Sequence, residues 1–223
     1  MKVIDRLLKF LQKNQIVLLG ILIIYSIICS LLVGESWDLN SHLLLGKSTF
    51  NYLLSFGIID NKEYVNLREY NSSSYWTLVY FLTQFFPKNL ELNIFNLTNL
   101  FVSWLTLIGF YKLGKILYNK DIGIIFFIIL FFYPVFFGHM AINPKDTILA
   151  FCHIWIFYLV LYYLKNQSKN LKSNKILWKI GFLLAVGTGI QLFFIVSLFP
   201  IFFFILLEIL IFKKIISEKF SIQ

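Results

Sequence analysis

Apolar residues come in long blocks along this chain, separated by short polar stretches, and the block lengths are the first information the sequence carries. Positions 16–33 form one uninterrupted apolar run, close to the roughly 20 residues that cross a bilayer as a helix. Further runs follow at 92–111, 122–138 and 147–164, and a last one fills 180–212. As one straight helix that last run would reach about 50 Å, beyond a hydrocarbon core of about 30 Å. Gly187-Thr188-Gly189-Ile190-Gln191 supplies a break, so the run divides into a short fifth span and a sixth.

Between the first two runs the pattern changes. In 35–91, Leu39, Leu43, Gly46, Phe50, Leu53 and Gly57 recur at helical spacing, which predicts one apolar stripe on a helix lying along the membrane surface. Asn71-Ser72-Ser73-Ser74 reads as a loop. The aromatic stretch 75–86 is too short to span and is closed by Pro87, so a second interfacial helix is expected there, with Tyr75, Trp76 and Tyr80 at the headgroup level. In the 92–111 run, Asn93, Asn96 and Asn99 give the first turns a polar side.

Composition turns this pattern into a class. Hydrophobic residues make up 59% of the 223 residues and mean hydropathy is +0.77. A soluble domain runs at about 45–50% apolar. The expectation is an all-α polytopic membrane protein with about six transmembrane helices and surface-lying helices in a long first outer loop. It forms a single transmembrane domain, divided as 1–14 cytoplasmic, 15–34 span 1, 35–91 outer loop, 92–111 span 2, 122–138 span 3, 139–146 outer turn, 147–164 span 4, 165–179 cytoplasmic loop, 180–212 spans 5 and 6, and 213–223 cytoplasmic tail. A cleaved secretory signal is the rival for the first run, but Cys29-Ser30-Leu31 lacks a small-x-small cleavage site.

Net charge +9 would suggest nucleic acid in a soluble protein. Here the cations flank apolar runs, at Lys2, Arg6, Lys9 and Lys13, at Lys112, Lys115 and Lys120, at 165–179 and at 213–219, so no nucleic-acid partner is expected. The outer loop holds the acids Glu35, Asp38, Asp60, Glu63, Glu69 and Glu91. The positive-inside bias then predicts a cytoplasmic N-terminus and places 35–91 and 139–146 on the outer face, the periplasm for a bacterial inner membrane. Cys29 and Cys152 fall inside apolar runs and read as small packing residues.

Candidate chemistry lies in the two outer polar islands. Glu35, Asp38 and His42 are spaced i, i+3 and i+7, which on one helix gives them one face. Asp38 is the leading catalytic candidate, since an interfacial carboxylate can take a proton from an attacking hydroxyl. Glu35 could raise the pKa of the pair by like-charge repulsion, and His42 could orient Asp38. The competing reading is that the acids only favour the start of a surface helix. In the second island, Asn143-Pro144-Lys145-Asp146, Asp146 or Thr147 can cap the following helix, whose N-terminus beside Lys145 suits a phosphate. Asn143 belongs to that turn, and Arg68 could add a bidentate phosphate contact. His153 reads as a packed core histidine. No Gly-rich phosphate loop, zinc-spaced Cys/His set or nucleophile elbow is present.

This order of a first span, an outer acidic motif, a second surface helix and an outer Asn-Pro-Lys-Asp turn resembles the GT-C membrane glycosyltransferases. The likeness is to the N-terminal portion of the protein O-mannosyltransferase-like group (glycosyltransferase family 39 type). The resemblance implies transfer of a sugar from a polyprenyl-phosphate donor to an acceptor hydroxyl on a lipid, protein or glycan, with Asp38 as base and Lys145 at the donor phosphate. It implies no organic cofactor and leaves a divalent metal open. Leu39 stands where the family carries a second acid, and family members are longer. The alternative expectation is therefore a truncated, non-catalytic membrane subunit paired with a second chain that supplies further spans. A small transporter ranks third.

Overall fold

The structure, a computed structural model, describes residues 13–36, 39–58, 74–166 and 173–212. Helix accounts for 86% of it and no strand occurs among the described residues, so the protein is an all-α polytopic membrane protein. Its helices are α1 (Gln15–Leu32), α2 (Leu39–Leu54), α3 (Ser74–Thr83), α4 (Glu91–Leu117), α5 (Lys120–Phe131), α6 (Pro134–His139), α7 (Pro144–Asn166), α8 (Ser173–Ile190), α9 (Phe194–Ser197) and α10 (Phe199–Leu207). A 3-10 turn (Lys88–Leu90) precedes α4, and a π-helical turn (Glu208–Phe212) extends α10. Among the described residues, four stretches are long and apolar enough to cross a membrane: Gln15–Leu32, Lys88–Leu117, Pro144–Asn166 and Phe194–Ile211.

α4 is the axis. Its 27 residues rise about 40 Å, and α1, α5 and α7 all pack on it. Trp104 Nε1 donates to Ser26 Oγ at 3.0 Å, which fixes α1 antiparallel to α4. Trp155 Nε1 donates to the Leu105 carbonyl at 2.9 Å, and the Lys165 ammonium reaches the Ile116 carbonyl at the far end, so α7 runs parallel to α4. Lys112 lies over the rings of Trp155 and Tyr158, 5.0 and 5.6 Å from their centroids, joining the same helices by cation–π contact. α4 and α5 approach through glycine, as membrane helices do when they lack a hydrophobic driving force. A Cβ at Gly123 would sit 2.7 Å from the Tyr111 carbonyl oxygen.

The expected third span, 122–138, is not one helix. α5 ends at Phe131, Phe132 and Tyr133 leave the helix, and α6 restarts at Pro134. Proline disfavours helical geometry in the residue before it, and Tyr133 sits at φ −70°, ψ 114° accordingly. The last apolar run breaks just after Ile190. Gln191, Leu192 and Phe193 form a turn, and the chain then folds Phe194 onto Gly187, where a Cβ would overlap its ring.

The bundle has two different ends. Lys13, Lys115, Lys120, Lys165 and Lys175 mark a basic end, and α2, α3 and the turn before α7 close the other. α2 and α3 run parallel as a pair, with His42 against Trp76 at the start and Phe50 against Tyr80 and Phe81 further along. α3 carries the pair onto α4 and α8, where Ser74 Oγ donates to the Gly189 carbonyl at 2.9 Å. Gly123→Val should push α5 off α4 and destabilise the bundle by about 1–3 kcal/mol, the usual cost of overpacking. Thermal unfolding in detergent micelles measures it.

Candidate functional site

Below the α2–α3 pair, the first half of α4 turns a polar face inward. Asn96, Asn99 and Ser103 follow i, i+3, i+7 spacing and all three are buried, Asn99 with no exposed surface at all. A polar group in a membrane-spanning helix is costly unless bonded within the protein, so each of these ties down a neighbour. Asn96 Nδ2 donates to the Ser30 carbonyl at 3.3 Å and holds the end of α1. Ser103 Oγ lies 2.9 Å from the Met140 carbonyl and holds the chain after α6. Asn99 Oδ1 lies 3.0 Å from Thr147 Oγ1 in the first turns of α7.

That layer retains unused bonding capacity. Asn99 Nδ2 and Ser30 Oγ are buried without a hydrogen-bond partner among the described residues. Thr147 has one hydroxyl proton and two acceptors within reach, Asn99 Oδ1 and the Asn143 carbonyl at 2.7 Å. If Thr147 donates to Asn143, the Asn99 amide turns over and its oxygen becomes the open atom. Either way, half of a fully buried amide is left open.

The turn before α7 is built around Asn143. Its Oδ1 accepts from the Asp146 N–H at 3.2 Å, and its Nδ2 donates to Asp146 Oδ2 at 2.8 Å and to His139 Nδ1 at 2.7 Å. The cap of α7 is therefore Asn143 rather than Asp146 or Thr147. The helix starts at Pro144, so the residue before it takes the capping position, and Asp146 replies from the third helical position by accepting from the Asn143 side-chain amide. Both amide protons of Asn143 are already committed, so it frames the helix N-terminus and has no N–H left for a phosphate. Lys145 is half-buried in the first turn of α7 and makes no ion pair among the described residues, while Asp146 is exposed.

The first island divides. Asp38 and Arg68 lie outside the described residues. Glu35 is exposed and sits on non-helical chain, because α1 ends with Val33 extended and α2 begins only at Leu39. Glu35 and His42 therefore do not share a helical face. The i, i+3, i+7 spacing has meaning only on a continuous helix, and Gly34–Ser36 interrupt it. His42 is half-buried and stacked on Trp76, with ring centroids 3.9 Å apart and planes at 9°. Trp76 stacks in turn on Phe95 at 5.9 Å. Gly46 makes this possible, since it lets α2 rest directly on the Trp76 backbone. Leu39 points into this packing and is 2% exposed.

α4 brings the islands together. Phe95 ends the aromatic stack and Asn99 meets α7 one turn later, about 6 Å along the axis. At the same end the Tyr75 ring meets Trp76 edge-on at 5.1 Å, and its hydroxyl is buried with no hydrogen-bond partner among the described residues. Burial pushes that hydroxyl well above the ordinary tyrosine value of 10.0. Asn99, Ser103, Tyr75 and Trp76 were not singled out for chemistry from the sequence. The signal for the first was the polar side that Asn93, Asn96 and Asn99 give a membrane run. Among the described residues, no three of His, Cys, Asp and Glu converge as metal ligands.

Tyr75→Phe tests the buried hydroxyl. Below about pH 10 the phenol is protonated folded or unfolded; above it the unfolded state ionises first, so stability falls as pH rises. Unfolding followed across pH 8–11, a window set by the roughly pH 10 phenol, should show wild type losing stability above pH 10 relative to Tyr75→Phe. The variant should equal or exceed wild type at neutral pH, because it removes an unpaired buried group.

Comparison of the chain with protein-family models, characterised proteins and solved structures finds no match.

Proposed function

We propose that the protein is a membrane glycosyltransferase module that moves a sugar from a polyprenyl-phosphate donor to an acceptor hydroxyl at the polar end of the bundle. One observation carries the reading. α4 joins the aromatic stack that seats His42 to the α7 N-terminus that bears Lys145, with a buried, incompletely bonded amide between them. A base and an anion site on one face suit displacement of a phosphate.

In this reading Asp38 takes the acceptor proton as the hydroxyl oxygen attacks the anomeric carbon. The bond from that carbon to the phosphate oxygen breaks, and polyprenyl phosphate leaves with the electron pair, inverting the centre. The leaving phosphate is a weak base, so no general acid is required. Lys145 faces the developing phosphate charge at the start of α7, where the helix dipole also favours an anion. His42, fixed by its stack on Trp76, orients Asp38, four residues before it in sequence. Arg68 adds a second contact to the phosphate.

Asp38→Asn should lower transfer about 10²–10⁴-fold, the usual contribution of a general base, without altering membrane insertion. Release of polyprenyl phosphate by purified protein given a set of polyprenyl-phosphate sugars measures this, and undiminished release would sink the assignment. Lys145→Gln should chiefly raise KM for the donor.

A specific observation favours a second reading, a non-catalytic subunit. Leu39, which stands in the place of the second acid of the resembling enzymes, is packed against Trp76 and Val79 in the core beneath α2. On this reading the wild-type chain binds a polyprenyl-phosphate sugar with no turnover, and gains turnover only with a partner chain.

A further inference from the structure

At the basic end, away from the polar layer, α1 separates from α4 and α5. Its hydrogen-bonded ties to α4, through Ser26 and Ser30, both lie toward the polar end. Toward the basic end the three helices enclose a cavity of about 370 Å³. α1 lines it with Ile16, Leu19 and Leu22, and Ile108, Ile124 and Phe127 close the other sides. The volume falls within the roughly 300–1,000 Å³ of small-ligand sites. Along α1 the cavity runs from Gln15 to Leu22, about 10 Å, or a third of a hydrocarbon core of about 30 Å. Its occupant therefore belongs to the leaflet at the basic end.

The rim says what that occupant carries. Polar groups appear at the mouth only, as Gln15 and Tyr111. Each helix then places a lysine about one turn further out. Lys115 is four residues beyond Tyr111 on the same face of α4, and Lys120 is four residues before Ile124 on the same face of α5. Lys13 precedes Ile16 by three residues, just ahead of the α1 N-cap Asn14. All three are exposed, and none makes an ion pair among the described residues. The N-terminal ends of α1 and α5 lie at the same rim with their dipoles, that of α5 capped by Asn119 and carrying Asp121 in its first turn.

We propose that this groove is a binding site for an anionic glycerophospholipid, with one acyl chain between α1, α4 and α5 and the phosphate among Lys13, Lys115 and Lys120. An apolar slot confined to one leaflet, beneath three ammonium groups that make no ion pair among the described residues, matches that molecule at both ends. A zwitterionic lipid brings its own cation to the rim and gains far less. The site is independent of the proposed transfer reaction and lies at the opposite end of the bundle. It also accounts for the incomplete packing of α1, because lipid completes the helix–helix contact.

The test uses the full chain in phosphatidylcholine vesicles carrying a trace of spin-labelled phosphatidylglycerol or spin-labelled phosphatidylcholine. The motionally restricted fraction measures association. Wild type should favour phosphatidylglycerol about fivefold or more, the equivalent of roughly 1 kcal/mol for one lysine near an anionic headgroup. Ile108→Trp, which fills the slot, should remove that preference. Replacing Lys13, Lys115 and Lys120 together by Gln should make the two lipids equal; this variant decides alone if Ile108→Trp fails to insert. Equal association in wild type, or a preference that survives in the lysine variant, would show only a general lipid annulus and overturn the site. Displacement of the spin label by polyprenyl phosphate but not by unlabelled phosphatidylglycerol would overturn the choice of occupant.

Discussion

A polar side chain inside a membrane-spanning helix has to find its hydrogen bonds within the protein, and α4 carries Asn96, Asn99 and Ser103 on one buried face. The arrangement of the polar end follows from that demand. The α1 terminus is fastened by Asn96, the chain after α6 by Ser103, and the start of α7 by Asn99. Leucine at those positions would pack as well against lipid as against protein and would fix no register among the helices. The asparagines thus choose which turns meet, and they do so at the depth where α7 begins.

The same layer explains why the α2–α3 pair sits where it does. Trp76 stacks on Phe95, one residue before Asn96, and Gly46 lets α2 lie against the Trp76 backbone. His42 is brought onto the indole by that close approach. Aromatic rings of this kind are at home where an apolar bundle meets its polar surroundings, with flat faces for packing and polar edges for bonding. The polar end is thus tightly built yet retains open bonding capacity at Asn99, Ser30 and Tyr75. The basic end is the reverse, with exposed lysines that make no ion pair among the described residues beyond an apolar slot.

Much of the helical plan was legible because apolar block length measures a bilayer directly. The runs that became α1, α4 and α7 declared themselves that way, and the break after Ile190 was marked by Gly187 and Gly189. The third run misled for a local reason. Apolarity continued through Phe132 and Tyr133, but Pro134 imposes its geometry on the residue before it, whatever the hydropathy. The first candidate motif misled for a related one. Spacing places Glu35, Asp38 and His42 on one face only if a helix is continuous, and the chain at Gly34–Ser36 is not helical.

What the sequence determined alone was the class, the positions of the long helices and the division into a lysine-rich and a lysine-poor set of connections. Each of these depends on composition or on spacing within one segment. The tertiary structure decided the rest. It showed that Asn143 caps α7, that His42 stacks on Trp76, that Leu39 is core, and that α4 carries the two polar islands within one turn of each other. Apart from the local Asn143 cap, these are contacts between residues tens of positions apart, set by side-chain shape and by the partners available to buried amides. Periodicity along a single chain holds no information about such meetings.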